Sequence, residues 1–122
     1  MPMLRIDIDY LAATLERLLL TPSPTGYTDP VVRQTCKELE KIGVAYELTR
    51  RGAIRARLPG ETGHGARAVV SHLDTLGAQV KRLKDNGRIE LVPVGHWSAR
   101  FAEGARAIVF SEKGIYTGTI LP

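Results

Sequence analysis

The sequence predicts an α/β fold: two helices and short strands, followed by an antiparallel β segment that begins a barrel-like domain. Three observations carry this. Apolar residues recur at helical spacing twice before Gly43. The run Ala68-Val69-Val70 is apolar without alternation, as in a strand covered on both faces of a helix-flanked sheet. Beyond Gly77 the segments alternate or nearly alternate and are broken by turn pairs such as Asn86-Gly87, a strong hairpin signal.

In the first helix Leu11, Leu15, Leu18 and Leu19 share a face; Asp9 is placed to cap its start, and Thr21-Pro22 ends it. Pro22-Ser23-Pro24-Thr25-Gly26-Tyr27 is a rigid, turn-rich connection. Asp29 is read as the cap of the second helix and Pro30 as its first helical residue, where a missing N–H is harmless. Val31, Val32, Cys36, Leu39 and Ile42 form its apolar face, and Gly43 its stop. Cys36, the single cysteine, reads as a small buried hydrophobe and excludes an intrachain disulfide or a cysteine-rich zinc module. Residues 44–48, 53–58 and 66–71 are β-compatible, and residues 59–65 form a glycine-rich loop in which His64 is expected to be exposed and idle. Residues 78–83, 88–94, 105–111 and 115–121 complete the strands, with no further helix expected. The change of texture near Gly77 divides the chain into residues 1–76 and 77–122.

Composition excludes several classes. At 43% hydrophobic and 25% charged residues the chain is neither disordered nor low-complexity. No apolar run approaches the ~18 residues of a membrane span, so no membrane partner is expected. The opening Met1-Pro2-Met3-Leu4-Arg5 lacks a basic-then-apolar design, which points to a cytoplasmic location without a signal peptide. Arg50, Arg51, Arg55 and Arg57 concentrate positive charge in one octet. With only 6% aromatic residues and none interleaved among these arginines, a solvated sheet edge explains them better than nucleic acid does.

The chemistry-bearing segment is Val69-Val70-Ser71-His72-Leu73-Asp74-Thr75-Leu76-Gly77. Residues two apart on a strand face the same way, so His72 and Asp74 share a side. Strand ends of open α/β sheets are where ligands bind. A metal-bound imidazole needs an acceptor on its other nitrogen, and Asp74 is a carboxylate of that kind. A catalytic zinc needs about three protein ligands, so His72 alone is no site. On these residues alone, a metal or catalytic role and an ordinary hydrogen-bonded pair both stand.

The ordered set of segments resembles metallopeptidase family forty-two, the glutamyl-aminopeptidase type that includes deblocking and tetrahedral aminopeptidases. Pro22-Ser23-Pro24-Thr25-Gly26-Tyr27 is similar to the family's Pro-Ser-Gly-like entry to the second helix. Arg51-Gly52-Ala53-Ile54 stands where the family opens a strand with Gly-Asn. Ser71-His72-Leu73-Asp74-Thr75-Leu76-Gly77 resembles Ala-His-Met-Asp-Glu-Ile-Gly. Val92-Pro93-Val94-Gly95-His96-Trp97 resembles Val-Pro-Val-Gly-Gly-Trp, at the start of the family's inserted β domain. Gly114-Ile115-Tyr116-Thr117-Gly118-Thr119-Ile120 resembles a later strand pair of that insertion. Thr49-Arg50-Arg51-Gly52-Ala53-Ile54-Arg55-Ala56 and Ser98-Ala99-Arg100-Phe101-Ala102-Glu103-Gly104-Ala105-Arg106 are similar to the subgroup associated with the N-acetylglutaminylglutamine amide osmoprotectant system.

The resemblance implies that residues 1–76 begin a di-zinc peptidase α/β layer and residues 77–122 the inserted β domain, which serves oligomerisation or substrate binding. It implies an aminopeptidase acting on peptide N-termini or a small dipeptide amide, with two divalent metal ions, zinc or cobalt, and a metal-bridging water as nucleophile. It makes His72 a metal ligand and Asp74 the catalytic-site carboxylate that holds its imidazole. It also implies a homo-oligomer. The general base and remaining ligands match nothing here, so the chain alone is expected to be inactive; the alternative is a non-catalytic binding or assembly module with the same fold. Thr75 replaces a usual glutamate, Ala53 an asparagine and His96 a glycine. Trp97 is expected to pack the β domain, and Ser23 to fix a turn rather than act as a nucleophile.

Overall fold

The computed structural model describes residues 5–61 and 65–122. The chain divides into two compact units, Met1–Thr75 and Leu76–Pro122. His64 lies outside the described residues, so its expected exposure has no counterpart here. The α/β class holds, with two helices and antiparallel strands.

In the first unit, α1 spans Ile8–Leu19 and α2 spans Asp29–Lys41. The α1 cap is Asp7, not Asp9: the Asp7 carboxylate accepts from Tyr10 N at 2.9 Å, while Asp9 lies inside the first turn. Two aspartates two residues apart both suit the start of a helix, and only the backbone geometry separates cap from first turn. In α2 the helix begins at Asp29 itself, the cap position falls to Thr28, and Thr28 makes no side-chain capping bond. Gly43 (φ +71°) takes the left-handed conformation that ends the helix.

Val31 and Cys36 on α2 are buried, as the apolar face requires. The apolar face of α1 has no buried residue: Leu11, Leu15 and Leu19 are all exposed. The two helices meet instead through polar groups. Glu38 Oε1 accepts from Arg17 at 3.2 Å and from Lys41 at 2.8 Å, and these donors hold its carboxyl below the usual range, the Lys41 hydrogen bond most of all. The Thr21 hydroxyl meets the Arg17 carbonyl at 2.8 Å and Gln34 Oε1 at 2.7 Å. After Gly43, β1 (Tyr46–Leu48) pairs antiparallel with β2 (Ile54–Ala56), setting Glu47 opposite Arg55 with a 2.8 Å ion pair. Tyr46 donates to Glu40 Oε1 at 2.6 Å, which pushes its phenol well above the ordinary range.

Residues 66–71 do not form the expected strand. A strand exists through ladder hydrogen bonds to a neighbour, and the described residues provide this segment with none. Val69 is 98% exposed and Val70 90% exposed, the reverse of the burial their apolar character suggests. The segment gains a ladder contact only beyond its end, where Thr75 bridges in parallel to Pro24.

The second unit contains two antiparallel hairpins. β3 (Gly77–Leu83) pairs with β4 (Ile89–Val94) through a bulge between Val80 and Arg82. The turn is closed by Lys84 N donating to Arg88 O at 2.8 Å, with Gly87 at φ +78°. β5 (Arg106–Ser111) pairs with β6 (Gly114–Thr119). A short 3-10 helix, Ala99–Ala102, intervenes where no helix was expected. Gly95 has φ +94°, and a Cβ there would lie 2.7 Å from Leu76 Cδ2, so both conformation and space require glycine. Trp97 fastens the β3–β4 hairpin by donating Nε1–H to the carbonyls of Gly77 and Val94, each at 3.1 Å.

Glu90 accepts from Lys81 Nζ and Arg82 Nε, both at 2.7 Å, and these bonds hold its carboxyl at about 2 against an ordinary 4.5. A depressed folded-state value stabilises the fold above the ordinary value, and the contribution disappears as pH falls through the folded one. The stability difference between the native chain and Glu90→Gln should therefore be full at neutral pH. It should shrink between pH 4.5 and about 2, as read by thermal unfolding across that range; a difference independent of pH would contradict the clamp. Exposed Val69 and Val70 predict a second outcome. Burying such a side chain is worth about 1.5–3 kcal/mol, and an unpaired strand is a pairing template. The isolated 122-residue chain should elute as a dimer or larger in light-scattering chromatography; a monomer at all concentrations would contradict this.

Candidate functional site

The site grows from one loop laid against the extended residues 73–75. Ser23 is fully buried, and its hydroxyl donates to the Leu73 carbonyl at 2.9 Å. The Ser23 carbonyl in turn accepts from Thr75 N at 2.8 Å. Pro24 adds the parallel bridge to Thr75, and Tyr27 N returns to Pro24 O at 2.7 Å, which tightens the turn. With its proton committed and no exposed surface, Ser23 is a tether, in keeping with the expectation that it fixes a turn rather than acting as a nucleophile.

This anchoring brings Thr25 to Asp74: Thr25 Oγ1 donates to Asp74 Oδ2 at 2.8 Å. The other carboxylate oxygen, Oδ1, stands 3.3 Å from His72 Nδ1, and the Asp74 backbone carbonyl stands 2.9 Å from the same nitrogen. The structure thus brings His72 and Asp74 together. Both neighbours of Nδ1 are acceptors, so in the neutral ring Nδ1 carries the proton and Nε2 keeps its lone pair. The ring is 83% exposed and the Asp74 side chain 41% exposed, so Nε2 is accessible. Asp74 is held below the ordinary carboxylate range, mainly by the Thr25 hydrogen bond; burial opposes the shift, and the Asp74 backbone and His72 reinforce it.

A lone-pair Nε2 with an oriented Nδ1 has the chemistry of one metal ligand. Among the described residues no group of three His, Cys, Asp or Glu side chains could hold an ion. These residues therefore fit one ligand's share of a metal site and not a whole one. Thr75, where the resembling family carries glutamate, contributes a hydroxyl 3.5 Å from Ser23 Oγ. His96 is exposed in the bend after β4. The sequence reading missed the role of Thr25, which it placed only in a turn. A hydroxyl in a proline-fixed loop is the available signal, but its partner lies 49 residues away. Among the described residues no helix is long and apolar enough to cross a membrane.

Comparison with known proteins bears on the family and the fold. The aminopeptidase homologue YhfE of Bacillus subtilis (strain 168) is 34% identical over 108 residues, covering 88% of this chain and 31% of that protein. The TET aminopeptidase of a marine-sediment Thaumarchaeota archaeon superposes with a TM-score of 0.81 at 20% identity, over 93% of this chain and 32% of that one. The TET1 peptidase of Pyrococcus horikoshii, which can assemble into a tetrahedron or a large octahedral shell, gives 0.73 at 24% identity over 91% of this chain and 33% of that one. The likeness to the two solved structures shows the fold, and the chain spans about a third of the length of the proteins it matches. The family profile described as M42 glutamyl aminopeptidase matches residues 52–122, more than half of the sequence, and the chain belongs to that family.

Proposed function

We propose that the protein carrying this chain is a metal-dependent aminopeptidase that hydrolyses N-terminal peptide bonds or a small dipeptide amide. The observation that carries the reading is the His72 ring, with Nδ1 held by two acceptors of Asp74 and Nε2 left accessible. In this reading His72 is a metal ligand and Asp74 fixes its tautomer and orientation. A pair of divalent ions, zinc or cobalt, would polarise the scissile carbonyl and lower the pKa of water. The chain's own part is to present one neutral imidazole in a fixed pose. The dipeptide-amide substrate rests on the similarity of residues 49–56 and 98–106 to the osmoprotectant-associated subgroup.

Residues 1–76 would supply the beginning of the catalytic domain and residues 77–122 the beginning of the inserted β domain; the division of the chain after Thr75 supports this boundary. The assemblies formed by the Pyrococcus TET1 peptidase support a homo-oligomer. We place the protein in the cytoplasm. Because the described residues offer only one ligand's share of a site, the 122-residue chain alone would be inactive. The same observation favours, as a second reading, a non-catalytic binding or assembly module.

The test is metal analysis and peptidase assay of the full protein. His72→Ala should remove one metal equivalent and most activity, and Asp74→Asn should cost about 10–100-fold in metal affinity or activity. Full metal content in His72→Ala would refute the ligand assignment. A full protein that neither retains metal nor cleaves aminoacyl substrates would favour the binding module.

A further inference from the structure

We infer that Thr25 is a positioning residue for the metal ligand: through Asp74, its hydroxyl sets the pose of the His72 imidazole. The inference rests on the reading of His72 as a ligand and adds a residue to it. An aspartate carboxylate rotates about its terminal torsion through a broad, roughly two-fold well, so either oxygen can face a neighbour. Thr25 removes that freedom. Its Oγ1–H occupies Oδ2 at 2.8 Å, which leaves Oδ1 beside His72 Nδ1 at 3.3 Å. One face of the carboxylate is fixed by the loop, and the opposite oxygen is reserved for the ring.

The loop can do this because it is itself held on both sides of Thr25. Ser23, before it, bonds both the carbonyl of Leu73 and the amide of Thr75, the two residues that flank Asp74. Pro24 bridges to Thr75, and Gly26, after Thr25, takes φ +93°, reversing the chain so that Tyr27 N closes on Pro24 O. Thr25 and Asp74 are thus opposed by backbone contacts as well as by their own hydrogen bond. Ser23 keeps the two segments together, and Thr25 bonds the carboxylate that stands beside the histidine ring.

The roles separate by substitution in the full, metal-free protein titrated with Co²⁺. Thr25→Val keeps the side-chain shape and removes the hydroxyl, and Thr25→Ser restores it. Thr25→Val should weaken the Co²⁺ equivalent that His72→Ala abolishes by about tenfold, the lower end of the effect of losing an outer-shell partner. It should also shift the visible absorption of that ion, while Thr25→Ser stays within about threefold of the native protein on the same scale. Native affinity and spectrum in Thr25→Val, with the ion lost in His72→Ala, would overturn the positioning role and leave the ligand assignment standing. Equal weakening in Thr25→Val and Thr25→Ser, accompanied by equal losses of melting temperature, would also overturn it, because the hydroxyl would not be the cause. Retention of every Co²⁺ equivalent in His72→Ala would overturn the ligand assignment itself, and this inference with it.

Discussion

The site depends on one buried hydroxyl. Ser23 spans 50 positions of sequence to bond the Leu73 carbonyl, and it does so with no exposed surface. An unsatisfied hydroxyl at that depth would cost about 1–3 kcal/mol, so the bond holds the loop against residues 73–75. From that contact follow the Pro24–Thr75 bridge, the approach of Thr25 to Asp74, and the placing of two acceptors on His72 Nδ1. Each step is short-ranged, and each fixes the geometry of the next.

The first unit otherwise buries little. Val31 and Cys36 are its buried apolar side chains among the described residues, and Glu38 joins the helices through Arg17 and Lys41 while its second oxygen has no partner among those residues. The exposed faces of α1 and of Val69-Val70 are apolar surfaces of the sort that mark an interface. The second unit draws its order from ladder bonds and from the Trp97 tie beneath Gly95.

Much of this was legible from sequence, and the limits have physical causes. The two helices and the two later hairpins follow local periodicity, and Asn86-Gly87 and Gly43 act through their own backbone angles, so these could be read locally. The helix caps moved because Asp7 and Asp9 carry the same chemistry two residues apart, and because Asp29 and Thr28 both suit a helix start. Residues 66–71 look like a buried strand because their composition is that of one. A strand is a property of a pair, and its partner cannot be read from one segment. The His72–Asp74 pairing was visible as a two-residue spacing, and the structure brings the two side chains together. The Thr25 bond was not visible, because nothing in a turn sequence specifies a carboxylate 49 residues away.

The central claim is that the fold fixes one tautomer of His72 and so presents a lone pair at Nε2. Long-range ¹H–¹⁵N correlation of the His72 ring in the metal-free protein, with the imidazole neutral, reads this directly. The account predicts a protonated Nδ1 and an unprotonated Nε2, because Asp74 offers that nitrogen only acceptors. A ring protonated mainly at Nε2, or one averaging freely between the two forms, would contradict it.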